Sequence, residues 1–299
     1  GSRRGDELPD ELKRREDRLM KIREAKERLE AEARQRAVEG QRQRDAAEAE
    51  RQAVGKKRRG KEPAPVKVTP EDKAQTNFTD PEAKIMKRSN KGFDYCYNAQ
   101  AVVDSEHQII VAAEVCTAAN DKQQAVPLAQ AAVKNLAAAD IERPRDDQGQ
   151  PLPIPNTADN GYYSEENVRG VEAAGLDPYF AVGRQKHHAS GTAASAADPA
   201  PASASAASAA DSATASNSAA PVAGEHPKET MAKKLRTLRG RVLYAARKHI
   251  VEPVFGQIKQ VRGFRKFLLR GLELVSAEWQ LICLTHNLLK IWRHVSSVP

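Results

Sequence analysis

Apolar residues are sparse in the first part of the chain. From Glu11 to about Val54 the residues are mostly Glu, Arg, Lys, Ala and Gln, which are strong helix formers, and leucine or isoleucine recurs at near-heptad spacing as far as Leu29. This pattern predicts a long, exposed helix. Its coiled-coil pairing is expected to be weak, because the stripe falls to alanine after Leu29. We expect Gly40 and Gly55 to fray the later part of this helix, and a Lys-, Arg- and Pro-rich linker comes next.

The hydrophobic pattern changes near Thr79 and predicts a mixed fold beyond it. The segment YNAQAVVDSEHQIIVAAEV alternates apolar and polar residues around a break that starts at Asp104, which predicts a β-hairpin. Asn120 and Asp121 form a capping signal, and the amphipathic stretch KQQAVPLAQAAVKNLAAA after them predicts a helix. The run LPIPNTADNGYYSEENVRGVEAAGLDPYFAV then predicts strand, turn, helix and strand. These elements predict an α/β fold of the α+β kind, in which helices cover a mixed sheet. The buried side of the first helix is predicted to contain Val126, Leu128, Ala132, Val133 and Leu136.

Low-complexity sequence separates this part from the C-terminal helices. Between His188 and Gly224 almost every residue is Ala, Ser, Thr, Pro, Asp or Gly, which cannot build a core, so a disordered insertion is predicted. Apolar residues between Leu243 and Val261 predict a helix beyond it, and both this helix and a last one are expected to pack on the sheet. The buried face of the last helix is predicted from residues spaced at three and four: Val275, Trp279, Ile282, His286, Leu289 and Ile291.

Charge is concentrated in one region. Of 299 residues only 5% are aromatic and the mean hydropathy is −0.65, so only part of the chain is expected to be globular. From Lys228 to Arg270 there are thirteen Lys and Arg and two acids, a local charge of +11 that leaves −3 for the rest. Such a patch favours a polyanion such as DNA over a merely solvated surface. The three cysteines lack metal-ligand spacing, and no apolar run approaches the roughly 20 residues of a membrane span, so a soluble cytoplasmic protein without a membrane partner is predicted.

Four stretches carry a resemblance to a known family. They are FTDPEAKIMKRSNKGFDYCYNAQAVVD, ADNGYYSEENV, YFAVGRQKH and LYAARKHIVEPVFGQIKQVRGFRKFLLRGL. The chain resembles the DDE transposases of bacterial insertion sequences, in the branch with a YNAQ strand, over about Asn77 to His187 and Pro227 to His294. The resemblance implies an RNase H-like core whose three carboxylates hold two Mg²⁺ ions, with transposon-end DNA as the partner and a nucleoid-associated location. It puts the second carboxylate on Asp159 and the third on Glu252.

Elementary chemistry agrees with this placement. Transfer of phosphoryl groups between DNA strands uses metal ions that activate the nucleophile and neutralise the leaving oxygen, and hard cations prefer carboxylate ligands. Taken alone, Asp159 would be a turn or helix-capping residue and Glu252 a surface acid. Pro253 inside a helix removes a hydrogen bond, so we expect the helix to begin just before Glu252 or to kink there. Lys259 is seven positions after Glu252 and is predicted to share its helical face. The residues expected to bind DNA phosphates, with either Arg247 or Lys248 serving as the signature cation, are Tyr244, Arg247, Lys248, Lys259 and Arg262.

The first carboxylate of the family has no clear counterpart. In the family it lies on a strand upstream of the charged helix, and no such strand precedes Glu11. We therefore expect an incomplete core and a C-terminal fragment of the enzyme that lacks activity, with Asp104 as the rival candidate. Two other functions stay open: a non-catalytic DNA binder, and an interaction protein or homo-oligomer built on the charged helix. The predicted organisation is a charged helical segment (1–62), a linker (63–76), a first part of the core (77–187), an insertion (188–226) and a basic helical part (227–299).

Overall fold

The described part of the chain combines helices with short strands. The computed structural model describes residues 14–55, 64–88, 92–183 and 226–297. The α+β class is confirmed, but the described strands form three two-stranded sheets where one mixed sheet was predicted. None of the described helices is long and apolar enough to cross a membrane. The chain divides into two compact units: Gly1–Gln100, Ala113–Ala119 and Phe264–Thr285 form the first, and Ala101–Ala112, Asn120–Gly263 and His286–Pro299 form the second.

Helix α1, Arg15–Ala53, belongs to the first unit and confirms the predicted charged helix. Its buried residues are all alanines, so it packs through a narrow face. The helix continues through Gly40, and the expected fraying there is wrong. A Cβ at Gly40 would lie 3.7 Å from Val66 Cγ1, an ordinary packing contact that covers this side of the helix. The helix ends just before Gly55, whose φ of +68° suits glycine and stops the helix.

The other elements of the first unit are short strands and the start of a long helix. Strand β1, Lys84–Lys87, pairs antiparallel with β2, Phe93–Cys96, a hairpin that the sequence pattern did not predict. Helix α6 runs from Leu272 to Ser297 and confirms the predicted last helix. Within this unit the indole Nε1 of Trp279 donates a hydrogen bond to the backbone oxygen of Gln100 at 2.9 Å, so this buried aromatic residue belongs to the core.

The predicted hairpin of the YNAQ segment is confirmed. It consists of β3, Asn98–Val103, and β4, Ile110–Cys116, which pair in a two-stranded sheet. The carboxylate of Asp104 accepts hydrogen bonds from the backbone N–H groups of Glu106 and His107, at 3.1 and 2.7 Å. Asp104 is therefore a turn residue.

The second unit is built around a β-α-β motif. Strand β5, Ile154–Ala158, pairs in parallel with β6, Leu176–Phe180, and helix α3, Glu165–Ala173, connects them, so the predicted order of strand, turn, helix and strand is confirmed. Helices α2, Ala125–Ala138, and α4, Pro227–Arg236, add to its core. The buried apolar residues of this core are Ala125, Ala129, Val168, Val171, Leu176, Phe180 and Met231.

The start of α2 differs from its prediction. The helix begins at Ala125 rather than after the Asn120–Asp121 signal, and its N-cap, Gln124, makes no side-chain capping bond. Residues before it form a turn, in which the Gln124 N–H donates to the backbone oxygen of Asp121. Leu128 and Ala132 are buried as predicted, whereas Val126, Val133 and Leu136 are only half-buried.

Helix α5, Leu238–Gly256, carries four of the ten Lys and Arg residues between Lys228 and Arg262 in the second unit. The Thr237 hydroxyl caps it by accepting a hydrogen bond from the Gly240 N–H at 3.0 Å. The helix runs through Pro253, so the expectation that it begins near Glu252 is wrong. The irregularity lies further on, in a π-helical turn at Gln257–Val261. Helix α5 packs on β5 and β6, as predicted.

The predicted faces of the C-terminal helices hold only in part. Val275, Trp279, Ile282 and His286 of α6 are buried, but the side chain of Ile291 is 52% exposed. Val261, expected on the apolar face of the preceding helix, is 80% exposed because it lies in the π turn at the end of that helix. The predicted insertion, residues 188–226, lies outside the described residues except for His226.

Candidate functional site

Asp159 lies where β5 ends. Its Oδ1 accepts a hydrogen bond from the Gly161 N–H at 2.8 Å and so caps a single 3-10 turn, Asn160–Tyr162. No hydrogen bond to the other carboxylate oxygen comes from the described residues, and the side chain is half-buried. Because β5 and β6 are parallel, their carboxyl ends share one edge, which is where open α/β sheets bind ligands. The turn-capping interpretation is thus confirmed, and one oxygen is left for a ligand.

Asn167 holds this turn in place. The side chain is 6% exposed, and its amide Nδ2 donates to the backbone oxygens of Tyr162, at 2.7 Å, and of Lys122. The backbone N–H of Asn167 donates to the Ser164 hydroxyl, which caps α3. One buried amide therefore joins the turn after β5 to the loop before α2.

This junction brings a second carboxylate to the site. A Cβ built on Gly161 would lie 3.0 Å from Asp159 Oδ1 and 3.2 Å from Asp121 Oδ2. Both carboxylates therefore face the same glycine. The sequence pattern assigned Asp121 to a helix cap. Its place beside Asp159 depends on the distant contact of Asn167 with the loop before α2, which no local sequence pattern indicates.

Glu252 is an exposed residue of α5. Neither an ion pair nor a hydrogen bond ties its carboxylate to another of the described residues. Val254, two positions further, is 1% exposed and packs in the core, so Glu252 projects from the opposite side of the helix. That Glu252 and Asp159 lie close enough to share a cation stays a prediction.

Arg247 and Tyr244 form a local pair on α5. The Arg247 guanidinium carbon lies 5.4 Å from the centre of the Tyr244 ring, within the range of a cation–π contact. Its Nε is buried and makes no hydrogen bond within the described residues. Lys248 is exposed. Whether Arg247 or Lys248 serves as the signature cation stays a prediction.

The π turn changes the expected relation of the remaining cations to Glu252. Lys259 lies within the turn, and its Nζ is 5.0 Å from the centre of the Phe255 ring. The Arg262 N–H closes the turn by donating to the backbone oxygen of Gln257 at 2.9 Å. The expectation that Lys259 shares a face with Glu252 assumed one continuous α-helix, and that assumption is wrong.

The donor chemistry of this region fits magnesium. Mg²⁺ in proteins is commonly held by one or two carboxylates together with water and substrate phosphates, rather than by a full protein cage. Two carboxylates of this chemical type, Asp159 and Asp121, lie around Gly161. Within the described ranges no group of three His, Cys, Asp or Glu side chains is arranged to hold a metal ion.

The second unit thus combines a parallel strand pair that has a carboxylate at its edge with the basic helix α5, which packs on these strands. Residues 211–292 match the family model described as transposase DDE domain. The matched stretch is similar to a DDE-type transposase domain and covers α4, α5 and most of α6, where it agrees with the resemblance seen in the sequence. No curated protein and no solved structure matches the chain.

Proposed function

We propose that this chain serves DNA transposition, with Asp159 and Glu252 as carboxylate ligands of a divalent cation at which DNA phosphates react. The observation that carries the proposal is the transposase-domain match over residues 211–292, which contains Glu252 and its helix. Asp159 lies outside that match, at the ligand-binding edge of the sheet on which the helix packs. Both residues belong to the same compact unit.

The chemistry assigned to each group follows from its surroundings. Mg²⁺, when bound, lowers the pKa of a water or hydroxyl nucleophile and stabilises the charge of the leaving oxygen. Asp159 is positioned by the Gly161 N–H, which fixes one oxygen and leaves the other to face a cation. Glu252 is exposed and makes no ion pair or hydrogen bond within the described residues, so its carboxylate has no competing side-chain partner there. Arg247, which is half-buried beside Tyr244, would offer its guanidinium group to a phosphate oxygen.

The basic region of the second unit supplies the affinity for DNA. Between Lys228 and Arg262 there are ten Lys and Arg and two acids. Lys234 is not available, because its ammonium bonds to Asp177 and donates to the backbone oxygen of Pro178 at 2.9 Å. The cations of α4 and α5 that are exposed are Lys228, Lys233, Arg236, Arg239, Arg241 and Lys248.

The cation site can be tested by measuring the binding of Mn²⁺ to the full chain with electron paramagnetic resonance. Asp159→Asn keeps the size of the side chain and an oxygen for the Gly161 N–H, and Glu252→Gln is similarly isosteric. Each change is expected to lower Mn²⁺ affinity by at least about tenfold, since mutations of even outer-shell metal partners cost this much. Glu229→Gln removes the other acid of the basic region and serves as the matched control, with no expected change. Unaltered Mn²⁺ affinity in Glu252→Gln would overturn the proposed site.

A DNA-binding function without catalysis is the second candidate, favoured by the concentration of exposed cations on α4 and α5. Both candidates predict a steep loss of DNA affinity with salt, of about 10³-fold or more between 50 and 200 mM for six phosphate contacts. They differ in the effect of the cation. If the chain binds DNA only through its cations, Asp159→Asn leaves the affinity for DNA unchanged in the presence of Mn²⁺.

A further inference from the structure

Helix α5 has a defect next to Glu252. In an α-helix each carbonyl oxygen accepts from the N–H four residues later, so the oxygen of His249 should accept from residue 253. That residue is Pro253, which has no N–H and whose ring crowds this same carbonyl. The helix nevertheless continues to Gly256. The oxygen of His249 therefore needs a donor from elsewhere.

The missing donor comes from the tip of the β3–β4 hairpin. The side-chain Nε2 of Gln108 donates to the backbone oxygen of His249 at 2.9 Å, across 141 positions of sequence. Gln108 and His249 belong to the same compact unit. The contact is thus the hydrogen bond that Pro253 cannot make, supplied by a different element.

The backbone and the side-chain amide of Gln108 are both held in place by further contacts. Its φ is +58°, in the left-handed region that is uncommon for residues other than glycine. Its side-chain Oε1 accepts from Lys290 Nζ at 2.6 Å, and its backbone oxygen lies 3.0 Å from His286 Nε2. Because a carbonyl can only accept, His286 carries its proton on Nε2. Both polar atoms of the side-chain amide are therefore used, and the amide orientation is fixed by an acceptor on one side and a donor on the other.

We infer that Gln108 is a positioning residue that completes helix α5 at the Pro253 defect and thereby fixes the backbone that carries Glu252. The bond ends on His249, one turn before Glu252, so loss of the bond frees the turn that contains the carboxylate. A role at the cation site rests on the proposed function, whereas the repair of the helix does not depend on it.

Hydrogen exchange of the full chain, measured by mass spectrometry on peptides covering 249–257, tests the repair. Gln108→Ala removes the side chain at the same strained φ. It is expected to raise the exchange rate of these amides about threefold to tenfold, which corresponds to the net strength of one hydrogen bond. Gln108→Glu keeps the shape and the contact with Lys290 but cannot donate, so it should raise exchange similarly.

The decisive comparison is made in the background of Pro253→Ala. The introduced alanine would supply the N–H that the oxygen of His249 lacks, so Gln108→Ala should have no further effect on exchange in peptides 249–257 there. An equal effect of Gln108→Ala in both backgrounds would mean that the residue stabilises only the hairpin, and would overturn the inference. The absence of any effect in the native background would do the same. Exchange in α3, in the same unit, reports whether the variants keep their fold.

Measurements of Mn²⁺ affinity distinguish the completion of helix α5 by Gln108 from the proposed role of Glu252 in binding a cation. If Glu252 holds the cation, Gln108→Ala lowers Mn²⁺ affinity severalfold, and adding Pro253→Ala restores it. If Glu252→Gln leaves Mn²⁺ affinity unchanged, the proposed cation site fails, and the exchange comparison still decides whether Gln108 completes the helix.

Discussion

The buried amide of Asn167 is the connection on which the turn at Asp159 depends most directly. Substitution by alanine removes two hydrogen bonds, to the backbone oxygens of Tyr162 and Lys122, and leaves both acceptors beside a small cavity. A buried acceptor left without a donor costs about 1–3 kcal/mol. Some water can enter, because the surroundings of Tyr162 are half-buried. We therefore expect the free energy of unfolding of this unit to fall by roughly 2–4 kcal/mol.

Asn167→Asp separates the loss of hydrogen bonds from the loss of volume. Aspartate has the same shape but, when ionised, presents only acceptors to two carbonyl oxygens, so near neutral pH it should destabilise the unit at least as much as alanine. Lowering the pH until this carboxyl is protonated should recover part of the loss. Urea unfolding followed by circular dichroism at pH 7 and pH 4, with the native chain as reference at each pH, provides the comparison. A loss below about 0.5 kcal/mol in Asn167→Ala would refute the view that this amide fastens the turn.

Three further results are expected. Burial lowers the pKa of His286, and nearby cations lower it further, so the unfolded chain binds a proton at a higher pH than the folded chain does. The free energy of unfolding should therefore fall as the pH drops below about 6.5, and this dependence should be weaker in His286→Gln. Gly161→Ala places a Cβ 3.0 Å from Asp159 Oδ1, so the carboxylate must shift by a few tenths of an ångström and Mn²⁺ affinity should drop, while unaltered affinity would show that this oxygen is not constrained. Trp279→Phe leaves the buried backbone oxygen of Gln100 without its donor, so the free energy of unfolding measured in urea should fall by about 1–3 kcal/mol. An unchanged free energy of unfolding would mean that water replaces the lost donor.

Sequence patterns predicted the elements that depend on local chemistry. The β-α-β motif was predictable because short apolar runs at β5 and β6 flank a stretch with turn residues and a helical pattern, all within about thirty residues. The hairpin of β1 and β2 was missed because its strands are only four residues long, one with alternating and the other with mostly exposed positions. In such strands the periodicity of side chains is too short to stand out from an exposed loop.

The relations between distant residues were not predictable. Pro253 was correctly identified as a problem for a helix, but the expected solution was an early start or a kink, because no local pattern shows that Gln108 supplies a donor from 141 positions away. The same holds for Asp121, which lies near Asp159 because the side-chain amide of Asn167 in α3 holds the loop before α2 against the turn. The family resemblance pointed to Asp159 and Glu252, and it could not indicate how the chain supports them.

The parallel pairing of β5 with β6 has a consequence for the order of folding. Ile154 pairs with Leu176, only twenty-two positions later, and the intervening helix is short. Closing a loop of this length costs less chain entropy than bringing β5 to the more distant basic helix, so this pairing can form before that contact. The strand edge that carries Asp159 can thus assemble while the chain is still being synthesised, long before Glu252 leaves the ribosome. Half of the proposed cation site would then act as a template on which the basic helix later docks.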